Sequence, residues 1–432
     1  MSTRTNATSR GLRPIQHAAT NPFRFGAIRS VFALFFTVVL FVGSTGAFVY
    51  HSLAAQVKDA ALDISRFTAA QSGDDAVEPT PIDQFNGRAI TLLVSGVDSR
   101  YNQDDAGYGS AEELSTIQSD TTMVAHISAD RSTVTVISIP RDLITLIPPC
   151  LTRNGSSYAY EGMFNSAFST GAVTDDLAGG VACTKATVEE MTGLTIDAFV
   201  VVDFAGFKGM IDALGGVWFD VPEPMQDYYS GLNVDAGCQK FDAYTALAFA
   251  RARHDVGDGS DISRIGRQQQ LVSAMLREVL SKNFVTDLPA LLSFLQAAIG
   301  SLTVSPNLGD IRGDAGLLLS LLNIDKANIR FVTLPWSPSP ADPNRVLAVE
   351  PDASKLWAAL ANDAPLPIGT EYTDGNGVTQ IVPDPALQTT TTEQNGDEPA
   401  AAEAPADPST APAPAAPAPE PAPVPQTCPP TQ

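Results

Sequence analysis

Three groups of arginines and carboxylates, far apart in the chain, combine residue types suited to gripping a phosphate. The first is Gly96-Val97-Asp98-Ser99-Arg100. The second joins Ser119-Asp120 to Ile139-Pro140-Arg141-Asp142. The third is Arg251-Ala252-Arg253 with Asp261, Arg264, Arg267 and Gln268. Lys and Arg number 26 against 48 Asp and Glu, so arginines are not scattered to hold any passing anion. Guanidinium forks grip phosphate oxygens in pairs. Carboxylates are the hard oxygen ligands that Mg²⁺ prefers. The combination predicts a metal-assisted pyrophosphate site. Taken singly, each group reads more readily as a structural surface ion pair, so the reading rests on convergence.

The elements around these residues predict that convergence. Residues 89–96 form a nearly continuous apolar run ending in Gly, a buried strand. Residues 121–128 and 133–139 read as two further strands around the turn Ala129-Asp130-Arg131-Ser132. A turn centred between Asp130 and Arg131 puts Asp120 opposite Arg141 at the open end of the hairpin. If the first strand runs parallel beside 133–139, Asp98 reaches the same edge, where ligands of such sheets bind. Two carboxylates that close repel unless a cation lies between them. Arg251 and Arg253 alternate and, in extended chain, point the same way. Arg264, Arg267 and Gln268 share a helical face just after Asp261. Arginines at a helix start oppose the macrodipole unless an anion is near.

Beyond these, helices are predicted over 176–191, 203–214, 241–250, 262–282, 288–299, 309–322 and 351–360. Strands are predicted over 197–202, 217–221 and 328–334. This mixture predicts a single α/β or α+β domain. No Gly-x-Ser-x-Gly elbow accompanies Ser95 or Ser99. Of the histidines, only His254 lies near the clusters, and the cysteines lack a partner for nucleophilic chemistry.

Composition bounds the rest. The net charge of −22 argues against nucleic acid, which needs a basic stripe. No Lys or Arg follows Lys355, and that stretch carries ten of the acidic residues. Residues 1–30 are polar and basic, and 31–50 are apolar for about 20 residues, enough to cross about 30 Å of hydrocarbon. The preceding arginines place the N-terminus inside and the remainder outside the cell membrane. A cleaved signal peptide is the alternative, disfavoured by the long leader and long apolar run. Residues 51–87 read as a stalk, 88–365 as the folded extracytoplasmic domain and 366–432 as an acidic tail. Pro and Ala dominate that tail from about Leu387, so it is expected to be disordered and extended. The four cysteines include no C-x-x-C pair. A Cys150–Cys183 bridge suits an oxidising space, against three buried thiols.

Five stretches, in order between residues 88 and 281, resemble the LytR-CpsA-Psr family. They are Leu92-Leu93-Val94-Ser95-Gly96-Val97-Asp98-Ser99-Arg100, Gln118-Ser119-Asp120-Thr121, Ser138-Ile139-Pro140-Arg141-Asp142, Ala248-Phe249-Ala250-Arg251-Ala252-Arg253-His254 and Asp261-Ile262-Ser263-Arg264-Ile265-Gly266-Arg267-Gln268-Gln269. The resemblance implies a three-layer α/β/α domain around a central mixed sheet. It implies transfer of a glycopolymer from a polyprenyl-pyrophosphate carrier to peptidoglycan, through a phosphodiester. It implies Mg²⁺ on Asp98 and Asp120, and pyrophosphate on Arg100, Arg141, Arg251, Arg253, Arg264, Arg267 and Gln268. Asp261 would order those arginines, and Asp98, Asp120 and Arg141 would carry the chemistry. Met163 stands where many relatives have a Lys. Some relatives also pair the counterpart of Cys238 with a Cys near position 220, which is Asp220 here, so Cys238 is expected to be unpaired. A lipid-linked pyrophosphatase and a non-catalytic envelope-binding attenuator protein are the competing readings.

Overall fold

The computed structural model describes residues 55, 61–68, 87–97, 117–281 apart from 175, 255 and 258, then 302–308, 321, 324–385 and 428. The expected membrane segment 31–50 lies outside the described residues. Among the described residues no helix is long and apolar enough to cross a membrane. The helices expected at 288–299 and 309–322 also fall outside them, save for residue 321.

In chain order the helices are α1 (Ser65–Thr68), α2 (Ser166–Gly171), α3 (Leu177–Thr192), α4 (Phe204–Leu214), α5 (Ala243–Arg251), α6 (Asp261–Ser281) and α7 (Asp352–Ala361). The strands are β1 (Ile90–Val97), β2 (Ser119–Ile127), β3 (Val134–Ile139), β4 (Ile144–Ile147), β5 (Leu151–Thr152), β6 (Gly155–Ser156), β7 (Tyr160–Met163), β8 (Ala198–Val202) and β9 (Val217–Val221). They continue with β10 (Met225–Asp227), β11 (Leu232–Val234), β12 (Gly237–Phe241), β13 (Leu302–Val304), β14 (Ile329–Thr333), β15 (Trp336–Pro338), β16 (Val346–Ala348), β17 (Glu371–Asp374) and β18 (Thr379–Ile381).

Eight strands make one mixed sheet in the order β13-β8-β1-β2-β3-β14-β17-β18. Strands β1 and β8 are parallel, as are β3 and β14, and β2 runs antiparallel to both of its neighbours. Strand β1 is therefore parallel to β3 but not beside it, since β2 lies between. The shared direction still brings the carboxyl ends of β1, β3, β8 and β14 to one edge. The hairpin register is as expected: Thr122 faces Ile139 and Met123 faces Ser138.

Alternation along the strands builds two cores. Leu93, Val124, Ile137, Phe199 and Val332 pack on one face with Val181 and Val188 of α3 and Leu356, Trp357 and Leu360 of α7. On the other face Phe331, Ile329 and Val136 meet Leu276 and Leu280 of α6. Helices α4, α5 and α6 enclose a further apolar cluster with β9, β11 and β12. His126 is a buried structural residue, bonded between Thr91 Oγ1 and Asp363 Oδ1 at 3.2 and 3.0 Å.

Four expectations are corrected. The folded sheet runs past residue 365, because β17 pairs with β14 and β18 with β17. The stalk is not wholly outside the fold: Ile64 and Phe67 are buried in the main core and Leu62 N–H donates to Val304 O at 2.8 Å. Phe241 ends a strand, not a helix, since Asp242 caps α5 by accepting from Thr245 N–H at 2.8 Å. Cys238 is bonded to Cys428, so the end of the tail returns to β12. The register facing Cys238 is Asp220, and the partner cysteine comes instead from 190 residues away. The Cys150–Cys183 bridge forms as expected.

Candidate pyrophosphate site

Asp120 and Arg141 meet because of the hairpin and a bulge. Gly96 faces Thr121 and Val97 faces Ser119, so Asp120 is an extra residue without a β1 partner. Such bulges re-aim side chains at strand ends. Pro140 stops β3, and Arg141 turns its guanidinium back: Nη1 donates to Asp120 Oδ1 at 2.6 Å. Asp120 remains 38% exposed at its side chain against 17% for Arg141, so its carboxylate is accessible from the edge.

Helix α6 supplies the next layer. Ser260 Oγ accepts from Ser263 N–H at 3.1 Å, which caps the helix. Gly257, at φ +64°, makes the preceding turn; a Cβ there would also meet Ser263 Oγ at 2.4 Å. Asp261 then sits buried between two arginines. It accepts from Arg141 N–H at 3.2 Å, lies 3.4 Å from Arg141 Nε and bonds Arg264 Nη2. Arg264 Nη2 also reaches Asp120 O at 3.1 Å. Burial opposes the charge of Arg141, but Asp120, Asp261 and Asp142 outweigh it and hold its proton more tightly than usual. Burial pushes the Asp261 carboxyl above the ordinary range, against the pull of Arg264 and Arg141. It pushes Arg264 down, against Asp261. Gln269, one residue past the predicted face, donates to Ser138 Oγ at 2.9 Å and Thr333 Oγ1 at 3.2 Å, locking α6 onto the sheet.

The Arg251–Arg253 segment differs from expectation. Arg251 is the last residue of α5, and the extended conformation begins only at Ala252. Its guanidinium stacks on Phe204 at 4.9 Å from the ring centroid, so it does not alternate with Arg253 as two strand residues would. Arg267 Nη2 donates to Ala252 O, Arg267 Nη1 to Ser263 Oγ at 2.8 Å, and Gln268 Nε2 to Ala250 O at 3.3 Å. The face of α6 is thus clamped to the end of α5.

Asp227 fixes Arg253 and was not found from sequence. Its Oδ2 accepts from Arg253 N–H at 2.6 Å and His254 N–H at 3.0 Å; its Oδ1 accepts from Tyr229 N–H at 2.9 Å and Ser230 N–H at 3.2 Å. The Asp227-Tyr228-Tyr229-Ser230 turn signals the local half of this network; no local pattern signals the half 26 residues on. Burial would raise the Asp227 carboxyl, but the four donors outweigh it and hold it below the ordinary range. Its stabilising contribution is therefore complete above the ordinary aspartate value and lost as pH falls through the lower folded-state value. Asp227→Asn is expected to flatten that acid loss, read as urea midpoints between neutral pH and roughly pH 3.

Several polar atoms here have no hydrogen-bond partner among the described residues although they are buried: Arg253 Nε, Arg264 Nε, Gln268 Oε1 and Asn165 Oδ1. Buried polar groups without partners are costly; of these, Arg253 Nε and Arg264 Nε are donors that belong to the expected anion-binding set, whereas the Gln268 and Asn165 atoms are acceptors. Asn165, at the start of α2, donates its N–H to Arg141 O at 3.1 Å. Met163 lies two residues before it, in β7 against Ile144. Asp98 and Arg100 lie outside the described residues. Among the described residues no group of three or more His, Cys, Asp or Glu could hold a metal ion. The structure thus brings together Asp120, Arg141, Asp261 and Arg264, and joins Arg253, Arg267 and Gln268 to them through α6 and the end of α5.

The LytR_cpsA_psr family matches this chain over residues 49–362. The chain belongs to the LytR_cpsA_psr family. Among its relatives, the probable cell wall biosynthesis protein LcpB of Corynebacterium glutamicum is 32% identical over 239 residues, covering 54% of this chain and 53% of that protein. The polyisoprenyl-teichoic acid–peptidoglycan teichoic acid transferase TagU of Oceanobacillus iheyensis is 31% identical over 209 residues, covering 48% and 57%. The chain therefore spans about half the length of the curated relatives it matches. A solved Streptococcus agalactiae protein aligns with TM-score 0.51 at 16% identity, over 72% of this chain and 97% of that one, and bears on the fold alone. Within the LytR_cpsA_psr family this chain is thus related to proteins named for cell wall biosynthesis and for teichoic acid transfer.

Proposed function

We propose that this protein transfers a cell-envelope glycopolymer from a polyprenyl-pyrophosphate carrier to peptidoglycan, forming a phosphodiester. The observation that carries the reading is the Asp120–Arg141–Asp261–Arg264 constellation at the carboxyl edge of the sheet. A site that spends one buried carboxylate on ordering two guanidinium groups suits a ligand carrying several phosphate charges. The membership of the family and the names of the relatives support a transferase.

Arg141, Arg253, Arg264, Arg267 and Gln268 grip the pyrophosphate, and Arg100 and Arg251 are assigned to the same ligand. Asp261 holds the arginines in place. The exposed carboxylate of Asp120 fits a divalent cation, with hard oxygen and one flank already taken by Arg141. Asp120 and Asp98 would hold Mg²⁺, which would neutralise phosphate charge when bound. A peptidoglycan sugar hydroxyl attacks the phosphorus nearest the polymer. The bond from that phosphorus to the bridging oxygen breaks, and polyprenyl phosphate leaves with the bond's electron pair. Asp98 is assigned to orient the hydroxyl and receive its proton. The apolar segment 31–50 anchors the protein and leaves the site outside the membrane, where a lipid-linked pyrophosphate is the available substrate of this chemistry.

The test is a reconstitution of the full chain with a lipid-pyrophosphoryl glycan, a peptidoglycan fragment and Mg²⁺. Phosphodiester-linked product is expected. Release of phosphate into water alone would make the protein a pyrophosphatase, and tight binding without turnover would make it a binding module. Asp120→Ala and Arg141→Ala are expected to lower the transfer rate by at least about 10²-fold while still unfolding cooperatively. Full activity in either variant would remove that residue from the site.

A further inference from the structure

Beside the arginines lies an aromatic surface that the proposed transfer does not use. Tyr228 and Tyr229, in the turn between β10 and β11, are 91% and 76% exposed. Tyr229 packs against the His254 ring with centroids 4.4 Å apart, and Tyr228 meets Tyr229 edge-on at 5.9 Å. His254 is itself 60% exposed. Three adjoining rings left in water form an apolar patch that folding alone does not explain.

The patch is tied to the anion site by a buried charge. Asp227, 1% exposed, uses one oxygen for the backbone of Tyr229 and Ser230 and the other for the backbone of Arg253 and His254. The same carboxylate thus fixes the aromatic turn and the arginine that follows α5. Aromatic faces edged by a phenol hydroxyl and an imidazole nitrogen suit a ring that is apolar on its faces and hydroxylated at its rim. That is a pyranose. A purely apolar partner would leave those polar edges without use. A phosphate would seek the arginines next door.

We propose that Tyr228, Tyr229 and His254 form a saccharide subsite, which stacks a pyranose ring of the glycan beside the pyrophosphate-binding arginines. It rests on the transferase reading for its biological ligand. The ring belongs either to the donor polymer or to the acceptor strand, and the chemistry of recognition is the same for both. Asp227 sets the distance between sugar and phosphate by holding both segments. His254 contributes its ring face to this subsite.

The test uses the full chain in lipid nanodiscs and three probes: inorganic pyrophosphate, farnesyl pyrophosphate bearing a disaccharide, and an N-acetylglucosamine tetrasaccharide. Tyr228→Ala/Tyr229→Ala is expected to weaken one or both saccharide probes by about ten-fold, and Tyr228→Phe/Tyr229→Phe, which keeps the ring faces and lacks the hydroxyls, to recover only part of it. Pyrophosphate affinity should stay within about two-fold. Loss confined to the farnesyl glycan assigns the ring to the donor; loss confined to the tetrasaccharide assigns it to the acceptor. Hydroxyl-radical footprinting should show both tyrosines protected by saccharide. The inference is overturned if the double alanine variant binds both saccharides as the parent does, if neither saccharide binds the parent, or if nanodisc lipid alone protects the tyrosines. If pyrophosphate fails to bind but the saccharides bind through the tyrosines, the arginine reading fails and the subsite stands.

Discussion

Asp261→Ala is expected to cost about 3–5 kcal/mol of stability and to abolish pyrophosphate binding. The carboxylate is 8% exposed and Arg264 is 4% exposed, so neither charge has bulk water to turn to. Removing it strips Arg264 of its ion pair and leaves the Arg141 backbone N–H and Nε facing an empty acceptor position. Breaking a buried pair from one side costs far more than deleting both partners. Asp261→Asn keeps an oxygen for the Arg141 N–H but loses both the charge and the oxygen that accepts from Arg264, so its stability loss should lie below that of Asp261→Ala while binding still falls. Urea denaturation and pyrophosphate titration of both variants read the two effects separately. A loss below about 1 kcal/mol in Asp261→Ala would show that Arg264 finds compensation elsewhere.

Gly171→Ala is expected to destabilise by about 3 kcal/mol, the upper part of the overpacking range. A Cβ at Gly171 would lie 2.0 Å from Gly179 O and 2.7 Å from Cys183 Cβ; one at Gly179 would lie 2.3 Å from Gly171 O. The obstacle is helix backbone, and Cys183 is bridged to Cys150, so α3 has little freedom to withdraw. The disturbance should reach the site, because the residue that precedes α2 is Asn165, whose N–H bonds Arg141 O. Gly266→Ala, in α6, is the control. A Cβ there meets nothing within 4 Å, and the change should stabilise by up to about 1 kcal/mol through helix propensity. Thermal melts of the two variants should move in opposite directions, and matching shifts would contradict the contact argument.

The hairpin that joins Asp120 to Arg141 was readable because strand periodicity is two residues and the turn between Asp130 and Arg131 is unambiguous. Once the centre is fixed, the register follows arithmetically, and it holds from Ile127 opposite Val134 to Thr122 opposite Ile139. The face of α6 was readable for the same kind of reason, since the spacing of Arg264, Arg267 and Gln268 is helical. Arg251 was misread because the sequence at Ala250-Arg251-Ala252-Arg253 carries no stop signal. The helix-favouring alanines carry α5 one residue further than an extended reading allows.

Local sequence thus determined the family motifs, the strand register and which arginines share a face. The tertiary structure alone decided what orders them. Asp261 reaches Arg141 across 120 residues, Asp227 reaches Arg253 across 26, and Cys238 reaches Cys428 across 190. It also placed β2 between β1 and β3, and carried the sheet on through β17 and β18. Short-range periodicity comes from backbone geometry and is written in spacing. Long-range pairing is selected only when packed cores have offset the entropy of closing those loops, and single residues such as Asp227 carry no mark of the partner they will meet.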